Sequence, residues 1–337
     1  MAIPLAETLS IFCVALGCYA LVSVLERPGW PAILTLAFAW SGATMLRPDG
    51  VLLEVAFSSA LLVYGRRTLG LGRVVRLVSA AALLALVPFA AWTARNWRTF
   101  HVFQPLAPRY ANDPGEATLP GVEKWTKTWT ADFASTYEIY WNLPGDDVEI
   151  RSLPSRAFDS AAEYQQTSRL FAAYNLRDTV TPEIDAGFAR LAAERIRAHL
   201  LRDRVTLPLL RLVDMWLRPR VEMLNIELRW WQYSRHRAET RFAVAYGALN
   251  LAYLLAALAG VFCWPGFSPG KATAAKALGA AMLTYLILRS LLLLTVAAPE
   301  PRYTLECFPL VIAFAAVAIE AALASKDRKM KFCTTPA

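Results

Sequence analysis

Three short polar motifs end hydrophobic stretches of this chain, and each carries an arginine. They are Arg47-Pro48-Asp49-Gly50, Arg95-Asn96 after Pro88-Phe89-Ala90-Ala91-Trp92-Thr93, and Pro299-Glu300-Pro301-Arg302-Tyr303. A guanidinium is a planar fork of N–H donors that suits carboxylate and phosphate oxygens. Proline and glycine beside Arg47 expose backbone amides at a helix boundary, and two prolines stiffen the turn that carries Arg302. The chemistry expected of such residues is anion binding. Each motif also has a plainer reading. Arg47 could snorkel to lipid head groups from a turn. Arg95, with Trp92 and Trp97, could anchor a helix end at an interface. Arg302 could form a surface pair with Glu300 of small energetic worth.

The elements that hold these motifs are hydrophobic. The 337 residues are 56% hydrophobic, with the apolar runs crowded into 8–94 and 241–324 and a polar, mixed-charge stretch between them. Average soluble chains lie nearer 45–50%. This pattern predicts an all-α integral membrane protein with one large loop. The net charge of +8 does not point to nucleic acid, because 95–240 holds 20 basic against 19 acidic residues and carries no recognition signature. None of the five cysteines lies in that loop, so no disulfide framework supports it. His101, His199 and His236 make no metal-ligand spacing, and no metal is assigned.

Seven candidate spans are expected, at 8–25, 31–46, 51–64, 74–94, 241–264, 273–298 and 303–324. A helix crossing the hydrocarbon core needs about 20 residues. The second and third stretches are shorter and are read as a hairpin broken at Pro48 and Gly50; one kinked helix over 31–64 is the alternative. Basic residues decide the orientation. Eleven (Arg27, Arg66, Arg67, Arg73, Arg76, Lys271, Lys276, Lys326, Arg328, Lys329 and Lys331) fall on one side, against Arg47 and Arg302 in the short connections of the other. The first side is therefore expected to be cytoplasmic. The N-terminus and the large loop lie outside, and residues 325–337 form a basic cytoplasmic tail. The domain reading is 1–94 transmembrane, 95–240 an extracytoplasmic helical subdomain, and 241–324 transmembrane. All three arginine motifs then share one face, where a lipid-linked phosphate is the natural ligand. The start of the chain lacks a basic signal region and carries Glu7 just before the first span, which fits a chain cut from a longer one.

Inside the loop, Thr181-Pro182-Glu183 opens an amphipathic helix over 183–201. Ile184, Phe188, Leu191, Ile196 and Leu200 lie near one face, with Glu194, Arg195 and Arg202 interleaved. Leu119-Pro120-Gly121 and Pro144-Gly145-Asp146 mark turns. Trp125, Trp129, Trp141, Trp216, Trp230 and Trp231 are read mainly as core or interface residues, with stacking on a sugar as the alternative. Glu54, Arg289 and Glu306 lie within apolar stretches, where charges are usually inward-facing and paired; Arg289 is expected to meet Glu54 or Glu306. Gly266-Phe-Ser-Pro-Gly270-Lys271 is one residue too short between its glycines for a phosphate loop.

Several pieces, taken in order, resemble the later part of a GT-C superfamily membrane glycosyltransferase, in the group with protein O-mannosyltransferases and the lipid A aminoarabinose transferase. They are Pro4-Leu-Ala-Glu-Thr-Leu9, Leu46-Arg47-Pro48-Asp49-Gly50, the 88–96 segment with Phe103-Gln-Pro-Leu106, Gly121-x-x-Lys-Trp125 with Trp129, 207–220, and Pro301-Arg302-Tyr303. The resemblance implies transfer of a sugar from a polyprenyl-phosphate carrier to an acceptor on the extracytoplasmic face. Arg47, Arg95 and Arg302 would then contact the lipid phosphate, with Asn96 and Tyr303 as hydrogen-bonding neighbours. The family's acidic motif lies between early spans that this chain is expected to lack. Asp49, Asp113 and Glu300 are acids on the expected side, but none matches it; Asp49 and Glu300 are the weak catalytic candidates. The expectation is an amino-terminally truncated transferase, inactive alone. The alternative is a non-enzymatic membrane protein that binds lipid phosphates or serves as an assembly subunit. A transporter is less favoured, since paired repeats with broken helices are not evident.

Overall fold

The computed structural model describes residues 6–333 apart from 107–117, 141, 144, 178, 222–223, 225, 227–228 and 268–271. Asp113, Trp141, Pro144, Lys271 and the first five residues therefore lie outside the described residues. The chain order is α1 (Ala6–Glu26), α2 (Trp30–Leu46), a 3-10 turn (Pro48–Gly50), α3 (Val51–Ala60) continued by a π-type turn to Gly65, and α4 (Leu71–Phe100). Next come α5 (Pro120–Lys127), α6 (Phe133–Tyr140), α7 (Ala161–Asn175), α8 (Pro182–Ala198) and α9 (Leu207–Leu217). The last helices are α10 (Arg237–Cys263), α11 (Thr273–Leu293) and, after a 3-10 stretch at Pro301–Cys307, α12 (Phe308–Cys333).

Six of these stretches are long and apolar enough to cross a membrane: Ala6–Glu26, Pro48–Gly65, Leu71–Phe100, Arg237–Cys263, Thr273–Leu293 and Pro301–Ala324. Trp30–Leu46 is a shorter apolar helix of 17 residues. Large apolar side chains on these helices point outward, among them Phe38, Leu83, Leu86, Val87, Leu258 and Phe262. Water would not tolerate so much exposed hydrocarbon, whereas lipid tails are its natural solvent. The chain thus has the character of a multi-pass α-helical membrane protein.

Two compact units divide the chain. The membrane unit comprises Met1–Pro108, Ala248–Arg289 and Thr304–Ala337. The helical unit comprises Arg109–Gly247 and Ser290–Tyr303. The division at 94/95 read from hydropathy falls inside α4, which continues to Phe100 because nothing between Ala94 and Phe100 breaks a helix. His101 then ends it in the left-handed conformation at φ 55°, its N–H donating to the Trp97 carbonyl oxygen. Likewise α12 runs unbroken past Ala324 to Cys333.

In the membrane unit the chain doubles back at Arg47–Gly50. A Cβ on Gly50 would sit 2.3 Å from the carbonyl carbon and oxygen of Ala43, so only a glycine can lie this close to the end of α2. A continuous helix over 31–64 would hold these residues about two turns apart. Two further contacts fix the directions. Gly17 on α1 packs on Leu53 and Phe57, while Leu25 meets Gly65, so α1 and α3 run parallel. Gly42 on α2 meets Cys13 on α1, so α2 runs against both. Glu7, Arg47 and Asp49 therefore share one end of the bundle, and Arg27 and Arg66 the other.

The helical unit folds on an aromatic core. Trp125 packs edge-on against Trp129 at 5.4 Å and Phe171 at 5.8 Å, and Phe188 lies 5.1 Å away. Ile184, Phe188 and Leu191 bring the apolar face of α8 onto this cluster. Thr181 caps α8 by accepting from the Ile184 N–H, as the sequence predicts. Three details differ from expectation. Leu119-Pro120-Gly121 does not form an isolated turn; Pro120 opens α5, where a missing N–H costs nothing. Leu200 lies beyond the end of α8 and is exposed. Arg195 is buried at 3% exposure rather than placed on the polar face. Its guanidinium donates to Thr128 Oγ1 (2.9 Å), Ala157 O (2.9 Å), Arg156 O (3.0 Å) and the Glu163 carboxylate.

Candidate functional site

The membrane unit gathers charges at one end of its helices, in an alternating series from Glu7 through Arg47, Asp49 and Arg289 to Glu306. Glu7 comes from the first turn of α1, Arg47 caps the C-terminal end of α2, and Asp49 sits in the 3-10 turn that reverses the chain. Arg289 lies in α11, and Glu306 just before α12. Arg47 Nη1 is 3.4 Å from Glu7 Oε1, and its Nε is 3.4 Å from Asp49 Oδ1. Arg289 donates to Asp49 Oδ2 through Nη1, and its Nε is 2.6 Å from Glu306 Oε1. Arg289 is fully buried, a position a guanidinium tolerates only with charged partners around it. Of the two partners expected for Arg289, Glu306 is present and Glu54 is not. Asp49 is the second partner, and hydropathy gave no signal for it because it lies between spans.

Arg47 and Asp49 therefore hold each other and the ends of four segments. The acid that looked odd before the first span, Glu7, is explained here: it is a partner of Arg47. With three carboxylates and two guanidinium groups, the series is an alternating network with one more acid than base, and not a bare cluster of positive charge.

Arg95 differs. It lies near the C-terminal end of α4 and is exposed. Its Cζ sits 5.1 Å from the Trp92 ring centroid and 5.3 Å from that of Phe100, and its Nη1 donates to Asn96 Oδ1 at 3.1 Å. No carboxylate among the described residues pairs with it. Asn96 is buried and donates through Nδ2 to the Gln104 carbonyl oxygen at 3.0 Å, tying down the chain that leaves the helix. Asn96 thus orients Arg95 and anchors a turn, a stronger structural role than its sequence position shows.

Below Arg95, α2 and α4 enclose two neighbouring apolar spaces. The nearer, about 210 Å³, is lined by Met45, Leu46, Pro48, Phe89, Trp92 and Leu106, among others. The next, about 640 Å³, lies one turn further along both helices and includes Leu34, Phe38, Ser41, Leu84, Val87 and Pro88. Pro88 has no N–H to offer the Leu84 carbonyl, and both residues line this groove. Phe38 and Val87 are exposed, so the groove opens on the lipid-facing surface.

Arg302 and Tyr303 belong to the helical unit. Arg302 Nε pairs with the Glu300 carboxylate, and its Cζ lies 5.8 Å from the Tyr303 ring centroid. Tyr303 Oη donates to Glu300 Oε1 at 3.1 Å. Glu300 and Arg302 thus form the local pair that was the plainer reading of this motif, with Tyr303 closing it. Trp125 and Trp129 are core residues, whereas Trp231 is exposed.

Comparison with known proteins adds no relative: no family model, curated protein or solved structure matches the chain.

Proposed function

We propose that the chain binds a polyprenyl phosphate in the membrane and supplies the phosphate-holding part of a GT-C type glycosyltransferase. The observation that supports this is the placement of Arg95. An exposed guanidinium without an acidic partner among the described residues stands at the head of an apolar groove between α2 and α4. A lipid whose tail fills such a groove would bring its phosphate to this arginine. The fork geometry of arginine and its weak hydration favour that contact. As a sugar–phosphate bond breaks, charge grows on the lipid phosphate, and a preorganised cation stabilises it. The sugar acceptor lies on the extracytoplasmic face in this reading, and Arg27, Arg66, Arg67, Arg73 and Arg76 mark the cytoplasmic end.

A second reading has its own support. Both acids considered for catalysis are engaged by cations, Asp49 by Arg47 and Arg289 and Glu300 by Arg302. A lipid-phosphate-binding subunit needs no free acid, whereas a transferase needs a group to activate the acceptor. Vesicles containing the chain, a sugar-linked polyprenyl phosphate and an added hydroxyl acceptor test both. Release of free polyprenyl phosphate that depends on Arg95 and on the acceptor supports a transferase. Arg95-dependent binding without release fits a phosphate-holding part or a subunit alike, and the absence of binding ends both.

A further inference from the structure

The charged residues of α9 point into the helical unit, and its aliphatic residues point out. Arg211 is fully buried and donates through Nη1 to the Lys127 carbonyl oxygen at 3.1 Å. Asp214 accepts from the Phe133 N–H at 3.0 Å, and Arg218, just past the helix, is buried. Leu209, Leu210, Val213 and Leu217 fall on one face by helical spacing, and each is 46–51% exposed. Leu201 and Val205, also exposed, extend this strip through the π-type turn Arg202–Thr206 that runs into α9. No described part of the chain covers the strip. A surface helix in water shows the reverse pattern, polar outward and apolar inward, and so continuous an apolar face marks an interaction surface.

Two hydrogen bonds tie α9 to a membrane boundary. Lys127, whose carbonyl oxygen Arg211 holds, donates through Nζ to the Thr295 carbonyl oxygen at 2.8 Å. Thr295 lies just past the span Thr273–Leu293, in the connection that leads to the span Pro301–Ala324. That connection, within Ser290–Tyr303, belongs to the helical unit together with α5 and α9. A connection between two spans emerges at the membrane surface, so α9 is anchored at that level.

We infer that α9 is an in-plane membrane helix, with Leu209, Leu210, Val213 and Leu217 sunk among the acyl chains at the membrane surface and its charged face turned into the helical unit. The make-up of the strip selects lipid over a protein partner. Protein hot spots are rich in Trp, Tyr and Arg and poor in Leu and Val, whereas the strip is Leu and Val alone. Acyl chains accept aliphatic side chains without a fixed geometry. Exposed Arg197 and Arg204 precede α9 in the chain, as basic residues do beside interfacial helices. Neither Arg95 nor sugar transfer enters this reading.

Photocrosslinking of the full-length chain in nanodiscs of phosphatidylethanolamine and phosphatidylglycerol tests it. Val213→p-benzoylphenylalanine is expected to yield phospholipid adducts by mass spectrometry. Glu194→p-benzoylphenylalanine, at an exposed position of α8, is the control and should yield few. A second variant carries Leu209→Glu and Val213→Glu. Both sites are exposed, so a face in water would tolerate the change, whereas a face in lipid should lose amide protection over 207–217 by about tenfold or more. Adducts from position 213 to protein, in the same chain or a second copy, overturn the inference. So do an absence of lipid adducts at 213, equal yields at 213 and 194, and unchanged protection in the double variant.

Discussion

Asp49 accepts a hydrogen bond from Arg289, a residue 240 positions further along the chain. This contact joins the turn after α2 to the end of α11 and closes the series that begins at Glu7. A buried guanidinium between two carboxylates is stable only as a set. Removing it should therefore cost much more than removing either acid.

Arg289→Ala is expected to destabilise the membrane unit by about 3–5 kcal/mol, because the buried Glu306 loses its guanidinium partner and Asp49 keeps only Arg47. Asp49→Asn keeps an acceptor for Arg289 and should cost less, about 1–3 kcal/mol. Thermal unfolding in detergent, followed by circular dichroism, measures both. Equal losses for the two variants would show that the network does not act as a set.

Gly50 and Gly260 are held by sterics rather than by backbone conformation. A Cβ at Gly50 would lie 2.3 Å from the Ala43 carbonyl, and one at Gly260 would lie 1.7 Å from the Phe314 carbonyl oxygen. Alanine at either site must push backbone apart, at a cost of about 1–3 kcal/mol. Gly72, with nothing near its Cβ, is the control. Gly50→Ala and Gly260→Ala should lower the unfolding temperature while Gly72→Ala leaves it unchanged or raises it.

Acid sensitivity of the helical unit should trace in part to Asp159. Its side chain accepts from both terminal nitrogens of Arg202 at 2.7 Å. That hydrogen bonding, joined by the charges of Arg195, Arg202 and His199, holds the carboxyl below its usual value of 3.8. A group whose folded value is depressed contributes stability above its unfolded value and loses it as pH falls through the folded one. Protection of the amides of 155–200, relative to their intrinsic exchange rate at each pH, should thus fall as pH drops below about 4, and Asp159→Asn should already be less protected at neutral pH with a shallower acid dependence. An acid limb identical in the two proteins would remove Asp159 from this account.

Arg195 offers a separate test in the same unit. Its guanidinium donates to two carbonyl oxygens, a hydroxyl and Glu163 from a site at 3% exposure. Arg195→Ala leaves these acceptors unsatisfied and should cost about 3–5 kcal/mol. Arg195→Lys, which cannot reproduce the fork, should recover only part of that. Denaturant unfolding followed by near-ultraviolet circular dichroism of the buried Trp125 and Trp129 reports the loss.

Much of this architecture is legible in the sequence because lipid imposes a long-range compositional rule. Apolar runs, a reversal at Pro48 and Gly50, and the cap at Thr181 are local signals. The Arg289–Glu306 pair follows from the cost of isolated charge in an apolar stretch. Asp49 as the second partner does not, because it lies in a turn where charge needs no explanation. Arg195 escapes for the opposite reason: helical spacing places it among polar neighbours, and only the fold shows Thr128 and Glu163 closing over it. The three arginine motifs look alike as sequence. Their difference lies in partners brought from afar, Glu7 and Arg289 in one case and, among the described residues, none of opposite charge in that of Arg95.

The central claim rests on Arg95 and the groove beneath it. The direct test compares binding of decaprenyl phosphate and decaprenol to the chain in nanodiscs, for the native protein and for Arg95→Ala. The account predicts that the phosphate binds about tenfold or more tightly than the alcohol, and that Arg95→Ala abolishes this preference while leaving alcohol binding intact. Equal binding of phosphate and alcohol, or a preference that survives Arg95→Ala, would contradict it.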